Sequence, residues 1–361
     1  MSELFDAVLS RRSLVKASVA AGALAAVPFS LNGVSAQEAI ICTMVTDTNG
    51  LGDQNFNDLG NRGGVRAAEE LGITWQVNES ADPSAFVPNI TAGAEAGQLT
   101  VAVGFLLTDG VAEVAPQFPD KFFTLIDSVV EEGNVQSVLF KEEQIGYLAG
   151  VVAGQATLTN KIGVIGGVRI PPVIRYEVGF VAGVRSVNAD AEIVINYTDT
   201  FEDPVLGKQT AAAQFNDGAD IILPIAGATG TGAYSAAAEL NKPGEIWVIG
   251  ADTAQDHLAP GYELCVAQKG VDFAVFDACQ QIVDGNFVTG VQNLGLAEGG
   301  VSIILYEDRT AVEINNLTRG YEAAVLDGTI VPPVDDDTLA AFVVPEAPAP
   351  IEATPVASPA A

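Results

Sequence analysis

The feature that most constrains the fold is an alternation between apolar runs and amphipathic stretches along most of the chain. The apolar runs are rich in β-branched residues and lack an alternating polar face, which is typical of strands buried on both sides of a sheet. They occupy residues 39–45, 101–105, 122–126, 162–165, 193–197, 221–224 and 247–249. Helical stretches lie between them, including residues 60–71, 145–156, 173–186 and 208–217. This order predicts an α/β fold with parallel sheets covered by helices on both faces.

The alternation runs twice, over residues 39–126 and again over residues 162–249, with a crossover segment at 138–142 between them. A strand around 264–266, a helix around 273–284 and a strand around 301–306 follow. A chain of 361 residues is long enough for two lobes. Two such lobes leave a cleft between the carboxyl ends of their strands, and ligands bind there in sheets of this kind.

The two ends of the chain differ in composition from its middle. Residues 10–16, SRRSLVK, form a twin-arginine pattern, which is followed by the apolar residues 17–31 and the small-residue sequence VSA at 34–36. This order predicts a twin-arginine signal peptide over residues 1–36 and export to the periplasm or the cell exterior. The apolar part is shorter than the roughly 20 residues that span a bilayer, and the alternative is a buried N-terminal helix. Residues 345–361 are rich in Pro and Ala and predict a disordered tail.

Charge and residue counts argue against several classes of function. Lys plus Arg number 16 and Asp plus Glu 46, so the net charge of −30 disfavours nucleic acid binding, which needs cations. Cys265 and Cys279 either pair after export or are two buried thiols. No cysteine stands at the cleavage point, so a lipid anchor at Cys42 has weak support. The single histidine, His257, cannot build a metal site or a Ser-His-Asp relay alone, and neither metal nor cofactor is expected.

Polar and aromatic residues recur directly after the predicted strands. They are Asp47, Asp109, Phe201, the glycine-rich loop 226–232 and Asp252. An aspartate after a strand is, taken alone, more often a helix cap or a turn former. Repetition at the one edge where the cleft is expected favours a binding site instead.

Eight segments, in order, carry a resemblance to a known family. They are TDTNGLGDQNFN (46–57), GFLLTD (104–109), FKEEQIGYLAGVVAG (140–154), IGVIGG (162–167), TFEDPVLGK (200–208), AGATGTG (226–232), VIGADTAQ (248–255) and KGVD (269–272). Together they resemble the basic membrane protein family of periplasmic binding proteins, whose characterised members are purine nucleoside receptors of ABC transporters. The resemblance spans roughly residues 40–310.

The resemblance implies a type I periplasmic binding protein, with two doubly wound parallel-sheet lobes joined by three crossovers. The N-lobe is expected to comprise residues 38–142 plus 260–292, and the C-lobe residues 143–259 plus 293–344. The implied partners are a nucleoside, preferably a purine nucleoside, and the permease subunits of an ABC transporter in the membrane. The protein itself is expected to be a monomer.

The resemblance also implies how the nucleoside is held. Its base would lie between two aromatic rings, Phe56 and Phe201, and such stacking contributes roughly 1–3 kcal/mol per base. The other implied contacts are Asn57 to the base edge, Asp47 and Asp109 along the N-lobe side, Asp252 and Lys269 to the ribose, and Gly227 at a close backbone approach. Vicinal hydroxyls suit this set, because a carboxylate accepts from them and a lysine donates to them.

Two departures and three alternatives stay open. Asp53-Gln54-Asn55 stands where family members often have Asp-Lys-Ser before Phe-Asn, and the spacing from Asp252 to Lys269 is short. One alternative is an enzyme that acts on nucleosides with its carboxylates. Another is a binding protein of the same fold for a sugar or another small polar solute. A third is a sensory receptor, since sensing and transport use the same lobe closure.

Overall fold

A computed structural model describes residues 39–353 of the chain. Its strands are β1 (Ile41–Thr46), β2 (Thr74–Asn78), β3 (Leu99–Val103), β4 (Phe122–Ile126), β5 (Val135–Phe140), β6 (Lys161–Gly166), β7 (Glu192–Tyr197), β8 (Ile221–Ile225), β9 (Trp247–Asp252), β10 (Glu263–Lys269), β11 (Gly290–Leu294) and β12 (Val301–Leu305). Its α-helices are α1 (Phe56–Leu71), α2 (Phe86–Ala96), α3 (Thr108–Val114), α4 (Glu142–Ala156), α5 (Pro171–Val187), α6 (Pro204–Asn216), α7 (Gly227–Leu240), α8 (Val271–Asp284), α9 (Val312–Leu326) and α10 (Asp336–Ala340). The predicted signal peptide and residues 354–361 lie outside the described residues.

The strands form two six-stranded sheets of the same order. The first is β2-β1-β3-β4-β5-β11 and the second is β7-β6-β8-β9-β10-β12. All pairings in the first sheet are parallel. In the second sheet only β12 is antiparallel, alongside β10. The prediction of two doubly wound α/β lobes is confirmed.

The central strands are buried because helices cover both faces of each sheet. Every residue of β3 and of β8 is buried, which explains why these strands are apolar except at Thr100. Helix α1 ends at Gly72, whose left-handed φ of 72° suits a helix cap. Helices α4 and α5 pack so closely that a Cβ on Gly150 would lie 2.2 Å from the carbonyl oxygen of Phe180. This close packing brings polar residues of both helices together beneath the cleft.

The chain passes three times between the two sheets. The first crossing lies at Lys141, after β5, and the third lies between β11 and β12. The second crossing was expected at residue 260, where the N-lobe was predicted to resume. It lies later in the chain, because β10 pairs with β9 and so belongs to the C-lobe. This crossing therefore lies at Gly270, after β10, and α8 then packs on α1 in the N-lobe. No local signal in the sequence distinguishes a strand that stays in its sheet from one that changes lobe.

The structure describes all three cysteines and the first part of the predicted C-terminal tail. Cys265 lies in β10 and Cys279 in α8, and both are buried free thiols, as is Cys42. Cys265 and Cys279 are therefore two buried thiols and not a disulfide pair. In the predicted tail, the backbone N–H of Ile351 donates to the carbonyl of Asn316 at 2.8 Å, so this part lies against α9. None of the helices between residues 39 and 353 has the length and hydrophobicity of a membrane span.

Candidate functional site

A pocket lies between the two sheets, at the carboxyl ends of their strands. Its volume is about 590 Å³, including the space open to solvent at its mouth. The loops after β1 and β3 line the pocket from one lobe, and the loops after β6 and β8 line it from the other. In each sheet the strand order reverses between these two strands. Six of the eight predicted site residues line it, namely Asp47, Phe56, Phe201, Gly227, Asp252 and Lys269.

Phe56 forms the N-lobe wall of the pocket and is the first residue of α1. The carboxylate of Asp53 organises the loop before it by accepting from the backbone N–H groups of Asn55, Asn57 and Asp58 at 3.0, 2.8 and 3.1 Å. These are the free N–H groups of a helix start, for which a carboxylate is the favoured partner. Behind the ring, a Cβ on Gly104 would lie 3.4 Å from Phe56. The ring therefore follows a loop that is fixed by hydrogen bonds, and it packs against Gly104.

Phe201 forms the C-lobe wall. Its ring lies against the backbone of Gly167, where a Cβ would come within 2.3 Å of two ring atoms. Its carbonyl accepts from the N–H of Thr229 at 2.9 Å, and the hydroxyl of Thr229 accepts from the N–H of Asp203 at 2.8 Å. Gly227, at φ 55°, begins α7 beside the ring. Only glycine at residue 167 leaves room for the ring in this position.

Asp47 presents a carboxylate to the pocket from the end of β1. Its Oδ1 accepts from the side-chain N–H of Asn57 at 2.8 Å and from the backbone N–H of Asn49 at 3.0 Å. Burial raises the pKa of Asp47 to about 6, although the hydrogen bonds from Asn57 and Asn49 act in the opposite direction. Asn57 is itself fully buried and does not line the pocket. Its position makes it a support for Asp47 rather than a group that reads a base edge.

Two further acids occupy equivalent places in the two lobes. Asp127 follows β4 and Asp252 ends β9, and these strands hold the same position in their sheets. Both residues adopt left-handed φ angles, 71° and 67°, which are uncommon for residues other than glycine and concentrate at functional sites. The hydroxyl of Tyr176 accepts from the backbone N–H of Asp252 at 3.3 Å and donates to the carbonyl of Ala267. Burial raises the pKa of Asp252 to about 7, while the nearby Lys269 acts to lower it.

Lys269 ends β10 at the base of the pocket. Its Nζ lies 2.6 Å from Asp127 Oδ2 and 2.8 Å from Glu142 Oε1, and Glu142 also receives Arg175 at 2.7 Å. Burial acts to lower the pKa of Lys269, but Asp127, Glu142 and Asp252 outweigh it and raise that pKa. The ammonium therefore stays charged. One of its three N–H donors is used in the hydrogen bond to Asp127, while Glu142 pairs with the ammonium by charge, which leaves donor capacity for a ligand.

Comparison with known proteins agrees with this geometry. A family model described as "ABC transporter substrate-binding protein PnrA-like", the Bmp family, matches residues 40–323. The chain belongs to the Bmp family.

Two relatives and one solved structure illustrate how far the likeness to other proteins extends. A Lactococcus lactis protein named "ABC transporter nucleoside-binding protein BmpA" is 33% identical over 310 residues, which cover 80% of this chain and 88% of that protein. An uncharacterised lipoprotein of Pyrococcus horikoshii is 33% identical over 311 residues, covering 81% of this chain and 75% of its own. A solute-binding protein of an ABC transporter system from Aeropyrum pernix has a TM-score of 0.77 at 29% identity, covering 84% and 96% of the two chains.

Two predicted site residues of this Bmp-family protein, Asn57 and Asp109, do not line the pocket, and some residues that line it were not predicted. Asp109 is exposed in the first turn of α3 and does not line the pocket. Asp127, Asn49 and Tyr176 line it and were not predicted. Asp127 follows an identified strand, so the rule that found Asp47 would also have found it. Asp127 Oδ1 and Asn49 Oδ1 are buried, and neither has a hydrogen-bond partner among residues 39–353. Both oxygens are therefore candidate acceptors for a ligand.

Proposed function

We propose that this ABC transporter substrate-binding protein captures a nucleoside, preferably a purine nucleoside, and delivers it to membrane permease subunits. The observation that carries the proposal is the pair of rings, Phe56 and Phe201, which line one pocket from opposite lobes. Aromatic side chains on two sides of a pocket suit a flat, π-rich ligand, and each stacked face contributes roughly 1–3 kcal/mol. The name of the Lactococcus lactis relative, which includes nucleoside binding, supports this ligand class.

The polar groups of the pocket suit a ribose. Asp252 and Asp127 provide carboxylate acceptors for vicinal hydroxyl groups, and Lys269 provides a donor beside them. Hydrogen bonds to charged groups contribute about 1.5–3 kcal/mol each. Two stacked faces and several such bonds are enough for a micromolar dissociation constant, which needs about 8 kcal/mol.

The charge of the pocket favours a nucleoside over a nucleotide. Its lining includes Asp47, Asp127 and Asp252 but, among the described residues, only Lys269 as a cation. Lys269 is already paired with two carboxylates. A phosphate group needs cationic donors, and arginine is the usual one. A 5′-monophosphate would therefore meet net negative charge.

We propose binding without catalysis, in keeping with relatives that are solute-binding proteins. The described lining residues include no serine, cysteine or histidine. The three carboxylates are the groups that would act as general acid or base if the protein were a nucleoside hydrolase. Release of free adenine from adenosine during incubation with the protein would contradict this part of the proposal.

The location and assembly state belong to the same proposal. The predicted twin-arginine signal implies export, and a monomer that visits its permease is the simplest arrangement for a substrate-binding protein. A receptor that signals through lobe closure would use the same pocket. Dependence of nucleoside uptake on this protein, in cells that carry its permease, would distinguish transport from sensing.

Titration calorimetry with matched ligands tests the proposed ligand class. The set is adenosine and inosine, the same bases without ribose, ribose alone, adenosine 5′-monophosphate, and glucose and galactose. We expect purine nucleosides to bind at micromolar concentration or tighter, and the base, the ribose and the monophosphate to bind much more weakly. Tight binding of a sugar with no binding of a nucleoside would show that the pocket serves the alternative ligand class.

A further inference from the structure

One hydrogen bond at the rim of the cleft joins the two lobes without touching the pocket. The side-chain Nε2 of Gln255 donates to the backbone carbonyl of Gln54 at 3.1 Å. Gln54 lies in the N-lobe loop before Phe56, and Gln255 lies in the C-lobe after β9. Neither residue lines the pocket. The bond therefore depends on how the lobes meet and not on a contact with the ligand.

The donor side of this bond is fixed within the C-lobe. Gln255 is only 2% exposed, and its backbone N–H donates to Glu263 Oε1 at 2.7 Å. Glu263 is fully buried and also accepts from the hydroxyls of Tyr234 at 2.6 Å and Tyr306 at 2.7 Å. These bonds fix the Gln255 backbone within the C-lobe, so the bond to Gln54 has to order only the side chain.

The acceptor side is fixed within the N-lobe. Gln54 has a left-handed φ of 54°, and its backbone N–H donates to Asp58 Oδ2 at 2.9 Å. This conformation directs the Gln54 carbonyl toward Gln255. The Gln54 side chain adds an exposed contact, with its Oε1 3.3 Å from His257 Nε2.

We propose that Gln255 is a latch residue, whose hydrogen bond to Gln54 stabilises the shut cleft and slows release of the captured solute. Gln54 is two residues before Phe56, so the bond also holds the loop that carries this ring against the C-lobe. The bond of Lys269 to Asp127 also joins the lobes but lies in the pocket, and the bond of Thr48 to Glu202 is exposed and competes with water, so it contributes less. The latch acts on lobe closure, and a nucleoside enters only as the probe.

A variant without the donor tests the latch. Gln255→Met keeps the length of the side chain and removes its N–H groups. With adenosine as probe in stopped-flow experiments, we expect dissociation to become about fivefold faster while association changes little, since the lost bond forms only after closure. Gln209→Met, an exposed glutamine on α6, is the matched control and should leave both rates unchanged. Equal dissociation rates for Gln255→Met and the unsubstituted protein would overturn the proposal.

Hydrogen–deuterium exchange on the ligand-free protein separates failure of the latch from failure of the nucleoside proposal. We expect Gln255→Met to exchange faster in residues 49–57 and to match the unsubstituted protein in α5. If adenosine does not bind the unsubstituted protein, the nucleoside proposal fails and exchange alone decides the latch. Unchanged exchange in residues 49–57, or an increase of the same size in α5, would contradict it, because the second result reports general destabilisation.

Discussion

The two lobes share a sheet order but hold their aromatic rings by different means. Strands β1 and β6 occupy equivalent places, yet β1 is followed by Asp47 and β6 by Gly167. In the N-lobe, Phe56 follows a loop that the carboxylate of Asp53 organises. In the C-lobe, Phe201 lies directly on a glycine backbone. Phe56 follows β1 whereas Phe201 follows β7, so the rings come from non-equivalent strands, and one wall depends on charge while the other depends on free volume.

The acidic residues of the pocket differ from the rings in this respect, because they occupy matching positions in the two lobes. Asp127 and Asp252 come from equivalent strands and share a left-handed backbone conformation. A conformation that is costly for an aspartate persists where the surrounding structure enforces it. The comparison indicates that the lobes are alike where they hold the sugar in our proposal and differ where they hold the base.

The largest expected effect comes from removing either ring. Phe56→Ala and Phe201→Ala should each weaken purine nucleoside binding by roughly 1–3 kcal/mol, because each removes one stacking face. Calorimetry on both single variants and on the double variant measures this. Phe273→Ala, at a ring that is 43% exposed on α8, is the control. Unchanged affinity in either single variant would remove that ring from the site.

The free-volume wall should be sensitive to one methyl group. Gly167→Ala places a Cβ within 2.3 Å of the Phe201 ring, so the ring must move and affinity should fall by about 1–2 kcal/mol. Gly133→Ala is a matched control, because nothing lies within 4 Å of a Cβ there. If both alanine variants bind the nucleoside equally well by calorimetry, the contact between Phe201 and Gly167 does not limit binding.

The carboxyl groups of Asp252 and Asp47 should affect ligand binding over different pH ranges. Ligand hydroxyls donate to ionised carboxylates, so affinity is complete above the pKa of Asp252, about 7, and declines below it. We expect binding about tenfold weaker at pH 6 than at pH 8. Asp252→Asn should abolish most of this dependence, whereas Asp47→Asn should affect only the range near pH 6, the pKa of Asp47. A pH profile that neither variant changes would contradict the assignment.

The unfolding temperature of the ligand-free protein shows whether weaker binding at low pH comes from loss of the fold. A carboxyl group whose pKa is raised in the folded state binds more protons there than in the unfolded state, so it favours folding as the pH falls. Asp252 and Asp47 therefore should not lower the unfolding temperature between pH 8 and pH 6. Weaker binding over this range would then reflect the carboxylates and not loss of the fold.

The smallest expected effect lies in the loop before Phe56. Asp53→Asn keeps one acceptor oxygen but turns the other into a donor toward N–H groups, so the start of α1 loosens. We expect affinity to fall by about 0.5–1 kcal/mol and the unfolding temperature to drop. Asp120→Asn, at an exposed position in the same lobe, is the control for charge alone. An effect as large as that of Phe56→Ala would mean that the loop contacts the ligand directly.

The fold followed from the sequence because local patterns determine it. Buried parallel strands are mostly apolar along their length, so a run such as residues 221–224 predicts a strand, and β8 lies there. The placement of β10 was not predicted, since its sequence, ELCVAQK, carries no local signal of the sheet that it joins. Which sheet it joins depends on contacts far apart in the chain.

The site was predicted in part for the same reason. Asp47 and Asp252 are marked by their places at strand ends, which a sequence displays. Tyr176 lies within α5 and reaches the pocket because the first turns of that helix border it. Asn57 is next to Phe56 in the chain, but its side chain points to Asp47 instead of the pocket. Side-chain direction and helix packing carry no local signal in these cases.

The three passages of the chain between the sheets bear on any attempt to produce half of the molecule. The first sheet is completed by β11, which pairs with β5 although about 150 residues separate them. A fragment that stops after β5 would lack this outer strand as well as the helix α8 that covers α1, and would leave β5 as an open edge prone to aggregation. Limited proteolysis at a single site in a connecting segment should accordingly leave two nicked pieces that migrate as one particle until denaturant is added.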